Sequence, residues 1–323
     1  MPATPAGAPP RARPELAFAS PRKLPRAGEL KGRVVVLDVA FASEASGGGF
    51  EKITRPFIEQ LGPRLAGWVD HHDHVMHARY AGDPRFVLAT KAEHGACPEM
   101  VTPEVIERIG HVDTIVCHTD FDGLCSAAKW VRGGTEPYAG ADADARAIDT
   151  RTGVPGPAAQ RIDRALRARP RDMALFGLVV RHLAAGLSDA SLWQAIDSAA
   201  AELAPIEELT RQIAKGYSIV ELSPTRDLPQ GVRSLALVDA TVHHGKYDKT
   251  LLLLSGQERA GVAVVLDLDT MTLAARFDSG VSFLQVLGLS GGMPTLVSVP
   301  RKRLREALTE LGVAEADVVR LGG

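Results

Sequence analysis

The sequence predicts an α/β fold with a mostly parallel sheet flanked by helices, followed by a smaller C-terminal α+β domain. Short apolar runs rich in valine alternate with segments of helical periodicity over residues 33–150, which is typical of parallel sheets. From about residue 232 the strand-like runs are closely spaced. The chain has 323 residues, 45% of them apolar and 24% charged, which is enough to bury a core in each half.

Residues 1–30 are rich in proline, alanine and arginine without a period, and they predict a disordered leader. A nucleic-acid-binding arm is the alternative for this segment. The first domain is expected at residues 31–153, with strands at 33–38, 65–70, 85–89, 112–118 and, briefly, 147–149. Its helices are expected at 50–61, at 103–109 and from Gly123 to about Arg132.

Residues 154–224 predict a helical connector, because apolar residues recur every three or four positions from 191 to 213. Pro205 lies inside this run and is expected to kink or break the helix. The remaining residues, 225–323, predict a small substrate-binding α+β domain. Its strands are expected at 234–239, 250–254, 262–267 and 272–276, and its last helix at 302–311.

The charge balance disfavours a broad duplex nucleic-acid interface, since 37 Lys and Arg against 39 Asp and Glu give a net charge of −2. A short or single-stranded anionic substrate is compatible with it. The odd number of cysteines, at spacings that fit no disulfide framework, favours free thiols in a cytoplasmic protein. Neither a signal-peptide core nor an apolar run of membrane-spanning length is present, so no membrane partner is expected.

Acidic and histidine residues follow the predicted strands at the point where each strand ends: Asp38, then Asp70, His71 and His72, then His118, Asp120 and Asp122, then Asp149. The carboxyl ends of parallel strands form the ligand crevice of such a sheet, so these side chains are expected to converge. Five carboxylates in one crevice repel one another unless cations neutralise them. Mixed Asp and His ligands suit Mn²⁺, Fe²⁺, Co²⁺ or Zn²⁺ better than Ca²⁺.

The third cluster has a spacing of its own. On an extended segment His118, Asp120 and Asp122 point to one face, and Gly123 then permits a tight turn into a helix. The positive end of that helix favours a nearby phosphate.

These residues resemble the DHH phosphoesterase superfamily. Residues 69–72 (VDHH) are similar to its DHH signature, residues 118–127 (HTDFDGLCSA) to its HxDxDGxxSA motif, and residues 34–38 (VVVLD) to its apolar strand ending in Asp. The resemblance covers about residues 33–150. The family's usual order places HxDxDG before DHH, whereas here DHH comes first, so the motifs are permuted.

The resemblance implies hydrolysis of phosphoester or phosphoanhydride bonds with two divalent metal ions, typically Mn²⁺. It implies that one ion is held by Asp38, His118 and Asp120, and the other by Asp38, His71, Asp122 and Asp149. Asp142 and Asp144 compete with Asp149 for the last position. His72 would contact phosphate or protonate the leaving oxygen, and Asp70 would orient His71.

In the C-terminal domain, residues 289–294 (LSGGMP) stand where the family has a GGH-like loop, with Met293 in place of the histidine. The amides of Gly291 and Gly292 are expected to cradle a phosphate and Arg276 to clamp it, the alternative being a plain glycine-rich turn. The expected substrates are short single-stranded oligonucleotides or small phosphodiesters. Pyrophosphate or polyphosphate hydrolysis and a non-catalytic nucleotide-binding regulator are the alternatives, and a homodimer is compatible with each.

Overall fold

The computed structural model describes residues 13–43, 48–243 and 245–321. The first part of the chain forms strands β1 (Glu15–Phe18), β2 (Val34–Leu37), β3 (Leu65–Asp70), β4 (Asp73–His74), β5 (Phe86–Leu88) and β6 (Thr114–Cys117). Among the described residues, one sheet has the order β1-β6-β2-β3-β5, and every pairing in it is parallel. The mixed α/β class and the three strands that precede the acidic clusters are therefore confirmed.

The central strand β2 is buried on both faces, which explains its uninterrupted apolar sequence. Val35 and Leu37 point into the apolar layer that contains the later helices of this half. Val34 and Val36 point into the opposite layer, around Trp68. Cys97, Cys117 and Cys125 lie in the first of these layers, and all three are free and buried, as expected.

Five helices accompany this sheet in the described part of the chain: α1 (Thr54–Leu61), α2 (His77–Tyr80), α3 (Pro103–Ile109), α4 (Phe121–Val131) and α5 (Ala141–Thr150). The brief strand predicted at 147–149 is wrong, because those residues are the last turns of α5. Ala141, Ala145 and Ile148 are buried at helical spacing, a period that a three-residue window cannot reveal.

The expected disorder of the leader does not extend to its described residues, which start at residue 13. Strand β1 pairs in parallel with β6 from Glu15 opposite Thr114 to Phe18 opposite Cys117, so it covers what would otherwise be an exposed sheet edge. Ala19, Ala27 and Leu30 are buried beneath the sheet. The part of the predicted leader before residue 13 lies outside the described residues.

The helical segment consists of α6 (Pro157–Ala168), α7 (Met173–Ala184), α8 (Ala190–Ala201) and α9 (Leu203–Ala214). The helix break predicted near Pro205 lies between α8 and α9, so Pro205 falls in the first turn of α9, where its missing N–H leaves no hydrogen bond unmade. Helices α6, α7 and α8 bury apolar residues in the same layer as β2. These three helices therefore belong to the first domain's core, whereas α9 buries Ile213 and Ala214 against the C-terminal sheet.

The C-terminal half has a sheet of its own in the described residues, formed by β7 (Ser218–Glu221), β8 (Ser234–Asp239), β9 (Val262–Leu266), β10 (Thr270–Ala274) and β12 (Leu296–Pro300). The remaining elements are α10 (Lys249–Gln257), β11 (Gly291–Gly292), α11 (Phe283–Val286), α12 (Leu304–Glu310) and α13 (Glu315–Leu321). No helix in the described ranges is long and apolar enough to cross a membrane.

The strand predicted at 250–254 is wrong, since these leucines lie in helix α10. The topology explains this, because β8 and β9 pair in parallel and parallel neighbours need a crossover connection. Asp248 caps the helix by accepting a hydrogen bond from Leu251 N at 3.1 Å. Leu252 and Leu253 are buried against the sheet.

The two halves are joined by a short antiparallel pairing between β4 and β11, in which Gly291 lies opposite His74 and Gly292 opposite Asp73. Val75 N also donates to Ser290 O at 3.0 Å. A Cβ atom at Gly291 would come within 2.7 Å of the Asp73 carbonyl oxygen and closer still to the His74 ring. A glycine is therefore required for the two strands to approach.

Candidate metal centre

The predicted acidic and histidine residues meet at the carboxyl edge of the parallel sheet. Asp38 comes directly after β2, Asp70 is the last residue of β3 and precedes His71 and His72, and His118 comes directly after β6. Because these three strands are neighbours in the sheet, their ends bring these side chains together. The order β6-β2-β3 puts Asp38 in the middle. Helices α4 and α5 add Asp122 and Asp149.

The ligand atoms form overlapping groups in which each atom lies within 4.8 Å of the others. Subsite one consists of Asp38, His118 and Asp120, and subsite two of His71, Asp122 and Asp149. A further group links them through Asp38, His71 and His72. His71 Nε2 lies 3.2 Å from Asp38 Oδ1, and His118 Nδ1 lies 3.7 Å from Asp38 Oδ2. Asp38 thus turns one carboxylate oxygen towards each subsite.

Asp38 shows that this centre fits a cation. Its side chain is fully buried, and neither carboxylate oxygen has a hydrogen bond of good geometry to any described residue. Burial raises the pKa of Asp38 well above its usual range, and the neighbouring charges of Asp122 and Asp120 raise it further. Buried carboxylates are normally paired or coordinated. The structure therefore supports a site that could hold a metal ion.

His71 is oriented as a ligand. Its Nδ1 lies 2.9 Å from the backbone carbonyl oxygen of His94, which can only accept a hydrogen bond, so Nδ1 carries the proton and Nε2 faces the carboxylates. Burial by itself lowers the pKa of His71, but the neighbouring carboxylates of Asp122 and Asp38 outweigh it and raise the pKa to about 10. In the absence of metal, protons therefore balance part of the acidic charge.

Asp70 is fully buried and acts on a different histidine from the expected one. Its Oδ1 lies 2.9 Å from His72 Nδ1, while the predicted partner, His71, is oriented by the His94 carbonyl instead. The two imidazole rings lie side by side, with centroids 4.8 Å apart, and it is His72 whose Nδ1 reaches Asp70. Burial lowers the pKa of His72 against the opposing effect of Asp70, so its imidazole is the neutral form near pH 7.

The third cluster is arranged by a helix cap rather than by an extended segment. Helix α4 begins at Phe121, and Asp120 caps it by accepting from Gly123 N at 3.3 Å. Gly123 therefore lies inside the first turn, and a Cβ there would come within 2.8 Å of the His118 carbonyl oxygen. His118 Nδ1 lies 2.7 Å from Asp120 Oδ2. Burial lowers the pKa of His118, but Asp120 dominates with the other acids and raises it to about 10.

Asp149 joins the centre, and its two competitors do not. Its Oδ2 lies 3.6 Å from His71 Nε2. Asp142 pairs with Lys129 at 2.5 Å, and Asp144 accepts hydrogen bonds from the Tyr138 hydroxyl and from Gly156 N. One helical turn and a half separates Asp144 from Asp149 on α5, so they face different parts of the molecule.

Lys91 is a member of this centre that the sequence does not reveal. It follows β5, its side chain is 1% exposed, and its Nζ pairs with Asp149 and lies 3.1 Å from His71 Nε2. Burial lowers its pKa, against the neighbouring acids. Nothing in a polar loop such as residues 90–93 (TKAE) distinguishes a buried lysine from the usual exposed one.

A cavity of about 390 Å³ lies between the metal centre and the C-terminal domain. Asp120, Asp149 and Arg151 line it on one side, and Arg276 and Met293 on the other. Arg151 has a left-handed backbone with φ of 59°, and its guanidinium makes no hydrogen bond or ion pair with any described residue. Its position two residues after Asp149 is the only sequence signal for it.

Arg276 and the glycine pair, the residues of the C-terminal domain that were expected to bind substrate, lie in different surroundings. Arg276 lines the cavity, but it is exposed and forms a bidentate pair with Asp278, at 3.0 Å and 2.8 Å. Gly291 and Gly292 pair with β4 in the strand that joins the domains, and the next residue, Met293, reaches the cavity wall. Backbone pairing thus engages the segment that was expected to cradle phosphate.

Comparison of the chain with protein-family models and with curated proteins finds no match. The chain is a mixed α/β protein whose buried aspartates and histidines could hold a metal ion between a parallel sheet and a cavity.

Proposed function

We propose that this chain is a metal-dependent phosphoesterase that hydrolyses short oligonucleotides or small phosphodiesters, as its resemblance to DHH phosphoesterases implies. One observation carries the proposal: the buried carboxylate of Asp38 lies between subsite one and His71 of subsite two, beside a cavity of about 390 Å³. Paired metal subsites beside a cavity are the arrangement used for displacement at phosphorus.

In this proposal Asp38, His118 and Asp120 hold one divalent ion, and His71, Asp122 and Asp149 hold the other. Mixed carboxylate and imidazole ligands suit Mn²⁺, the ion that the family resemblance implies. When bound, the ions supply a water of lowered pKa as the nucleophile and offset charge on the phosphoryl oxygens. The protein's part is to hold Nδ1 of His71 as a donor to the His94 carbonyl, so that Nε2 is aimed inwards and would be the ligand atom after losing its proton.

His72 and Asp70 form the acid–base pair of the proposal. Because His72 Nδ1 is committed to Asp70, Nε2 is the ring atom left for proton exchange with the water or the leaving oxygen. His72 is 19% exposed, whereas His71 is fully buried, so it is the histidine of the pair that substrate can approach. Arg151 lines the cavity without an ion-pair partner in the described part of the chain, and it is the candidate contact for the phosphate.

The cavity wall favours a phosphodiester with an organic group over pyrophosphate or polyphosphate. Leu253, Leu254, Phe277 and Met293 line the C-terminal side. A phosphoanhydride substrate would require a compact, strongly basic pocket, whereas the acidic residues here outnumber the two arginines and Arg276 already has a carboxylate partner. A nucleobase could pack on the apolar wall while its phosphate reaches Arg151.

The direct test is release of p-nitrophenol from bis(p-nitrophenyl) phosphate in the presence of Mn²⁺. Asp120→Asn should reduce the rate at least about tenfold by removing a ligand charge, while Asn keeps the cap of α4. Asp189→Asn is the matched control, because Asp189 caps α8 outside the site. Equal rates in the wild type and Asp120→Asn would refute catalysis by this centre, and nucleotide binding without turnover would favour a regulator.

A further inference from the structure

Lys91 lies in the metal centre as a positive charge of the protein's own. Its side chain is 1% exposed, and its Nζ contacts Asp149 and lies 3.1 Å from His71 Nε2, two of the three members of subsite two. Lysine is almost never fully buried unless it is paired, because the ammonium loses its hydration. The acids of subsite two provide that pairing.

The backbone holds Lys91 in this position. Its N–H donates to Asp73 Oδ2 at 3.1 Å, which ties the loop to β4. The turn is closed by Glu93, whose Oε2 accepts from Thr90 N at 2.7 Å and from the Thr90 hydroxyl at 2.8 Å. His94, at the end of the same loop, provides the carbonyl that orients His71. The loop at residues 90–94 therefore both orients His71 and places the Lys91 ammonium beside it.

The ammonium and a metal ion compete for the same space. A divalent ion bound to imidazole nitrogen and carboxylate oxygen sits roughly 2.0–2.3 Å from each, between the atoms that Lys91 Nζ now bridges. Subsite one differs, since no lysine or arginine among the described residues forms an ion pair with Asp38, His118 or Asp120. An incoming ion would therefore have to displace an ammonium group from subsite two but not from subsite one.

We propose that Lys91 is a built-in cation that occupies subsite two in the metal-free protein, so that subsite one loads first and subsite two loads only as the ammonium withdraws. This inference rests on the metal binding in the proposed function. It predicts two affinity classes for one metal, with the second ion bound more weakly. Lys91 is a positioning residue here, since it acts through the occupancy of a neighbouring site.

The test is a titration of the wild type and of Lys91→Met with Mn²⁺. Calorimetry measures the binding, and electron paramagnetic resonance detects the magnetic coupling between two bound Mn²⁺ ions. The wild type should bind one ion tightly and a second at least about tenfold more weakly, as one partly screened charge contact would produce. Lys91→Met should bind both ions tightly. Its metal-free form should melt at a lower temperature, because Asp122 and Asp149 lose their neutralising charge.

Lys129→Met is the matched control, because Lys129 is also a buried lysine paired with an α5 aspartate, Asp142, outside the metal centre. It should leave the Mn²⁺ affinities unchanged. If Lys91→Met does not fold, the wild type alone decides: the coupled signal should appear only after the first equivalent has bound. A coupled signal from the first addition, or a second affinity unchanged in Lys91→Met, overturns the inference but not the metal centre. Absence of any Mn²⁺ binding to the wild type overturns both.

Discussion

Asp38 concentrates several unfavourable features in one residue. It adopts φ of 59° directly after β2, its carboxylate is buried, and both of its oxygens lack a hydrogen bond to any described residue. A non-glycine residue in this conformation and an unpaired buried carboxylate each destabilise the folded state by about 1–3 kcal/mol. Such features persist at functional sites, where the bound ligand offsets them. Asp38 is therefore the residue that most strongly indicates a ligand.

The raised pKa values of His71 and His118 predict opposite pH trends for stability and for metal binding. Both have a pKa of about 10 in the metal-free protein, against the usual 6.5. Their contribution to folding is complete below pH 6.5 and is lost as the pH rises towards 10. Metal binding must displace these protons, so Mn²⁺ affinity should rise over the same range.

The measurement is the melting temperature of the metal-free protein and its Mn²⁺ affinity between pH 6.5 and 9.5. Calorimetry in buffers of different ionisation enthalpy should also register proton release on binding. The surface histidine His111, which pairs with Asp113 away from the centre, offers a control as His111→Gln. A Mn²⁺ affinity that falls over this range would contradict the prediction.

At the scale of elements, the sequence was informative wherever burial on both faces produced a continuous apolar run. Strands β2, β3 and β6 were predicted for this reason, and the acids that follow them were found at one edge. The four consecutive leucines at 251–254 wrongly predict a strand, because periodicity alone cannot distinguish a short apolar run in a strand from a buried helix segment. The crossover needed between β8 and β9 decided the outcome, and that requirement is visible only in the assembled sheet.

The pairing of β11 with β4 predicts a specific sensitivity to side-chain volume. Gly291→Ala would place a methyl group against the Asp73 carbonyl and the His74 ring, destabilising the pairing by about 1–3 kcal/mol. We expect a raised KM for the phosphodiester with Mn²⁺ binding preserved, because the metal ligands belong to the first domain. Steady-state kinetics and a Mn²⁺ titration measure the two effects.

Gly231→Ala is the control for this change, since a Cβ atom there meets no atom within 4 Å and the residue belongs to the same domain. It should match the wild type in both measurements. An unchanged KM in Gly291→Ala would mean that the pairing does not hold the cavity wall in place.

At the scale of the whole molecule, chain order and spatial order are independent. Residues 69–72 precede residues 118–127 along the chain, yet both segments flank Asp38 because β2 lies between β3 and β6. Local sequence therefore sufficed to predict that six candidate ligands would meet at one place: Asp38, His71, His118, Asp120, Asp122 and Asp149. It could not identify Lys91 or Arg151, whose importance depends on burial and on missing partners, both properties of the assembled structure.

The two arginines of the cavity are predicted to contribute unequally, because they come from different domains and differ in their pairing. Arg151 has no partner among the described residues, whereas Arg276 is held by Asp278. Loss of a charge-assisted contact to phosphate is worth about 1.5–3 kcal/mol, or roughly ten- to a hundredfold in affinity. Arg151→Ala should therefore raise the KM for a phosphodiester within this range, and Arg276→Ala should raise it less.

Steady-state kinetics with the same substrate measure both variants, and Mn²⁺ binding should be unchanged in each. An equal or larger effect of Arg276→Ala would reverse the assignment and indicate that substrate draws Arg276 away from Asp278.

The strand that links the domains begins one residue after His72, since β4 starts at Asp73. His72, the proton-exchanging histidine of the proposed function, is thus the direct chain neighbour of the strand that pairs with β11. A movement of the two domains apart would shift Asp73, and one peptide bond connects Asp73 to His72. If the proposed function holds, a ligand too bulky for β4 and β11 to pair would displace His72, so turnover should fall as the substrate becomes larger.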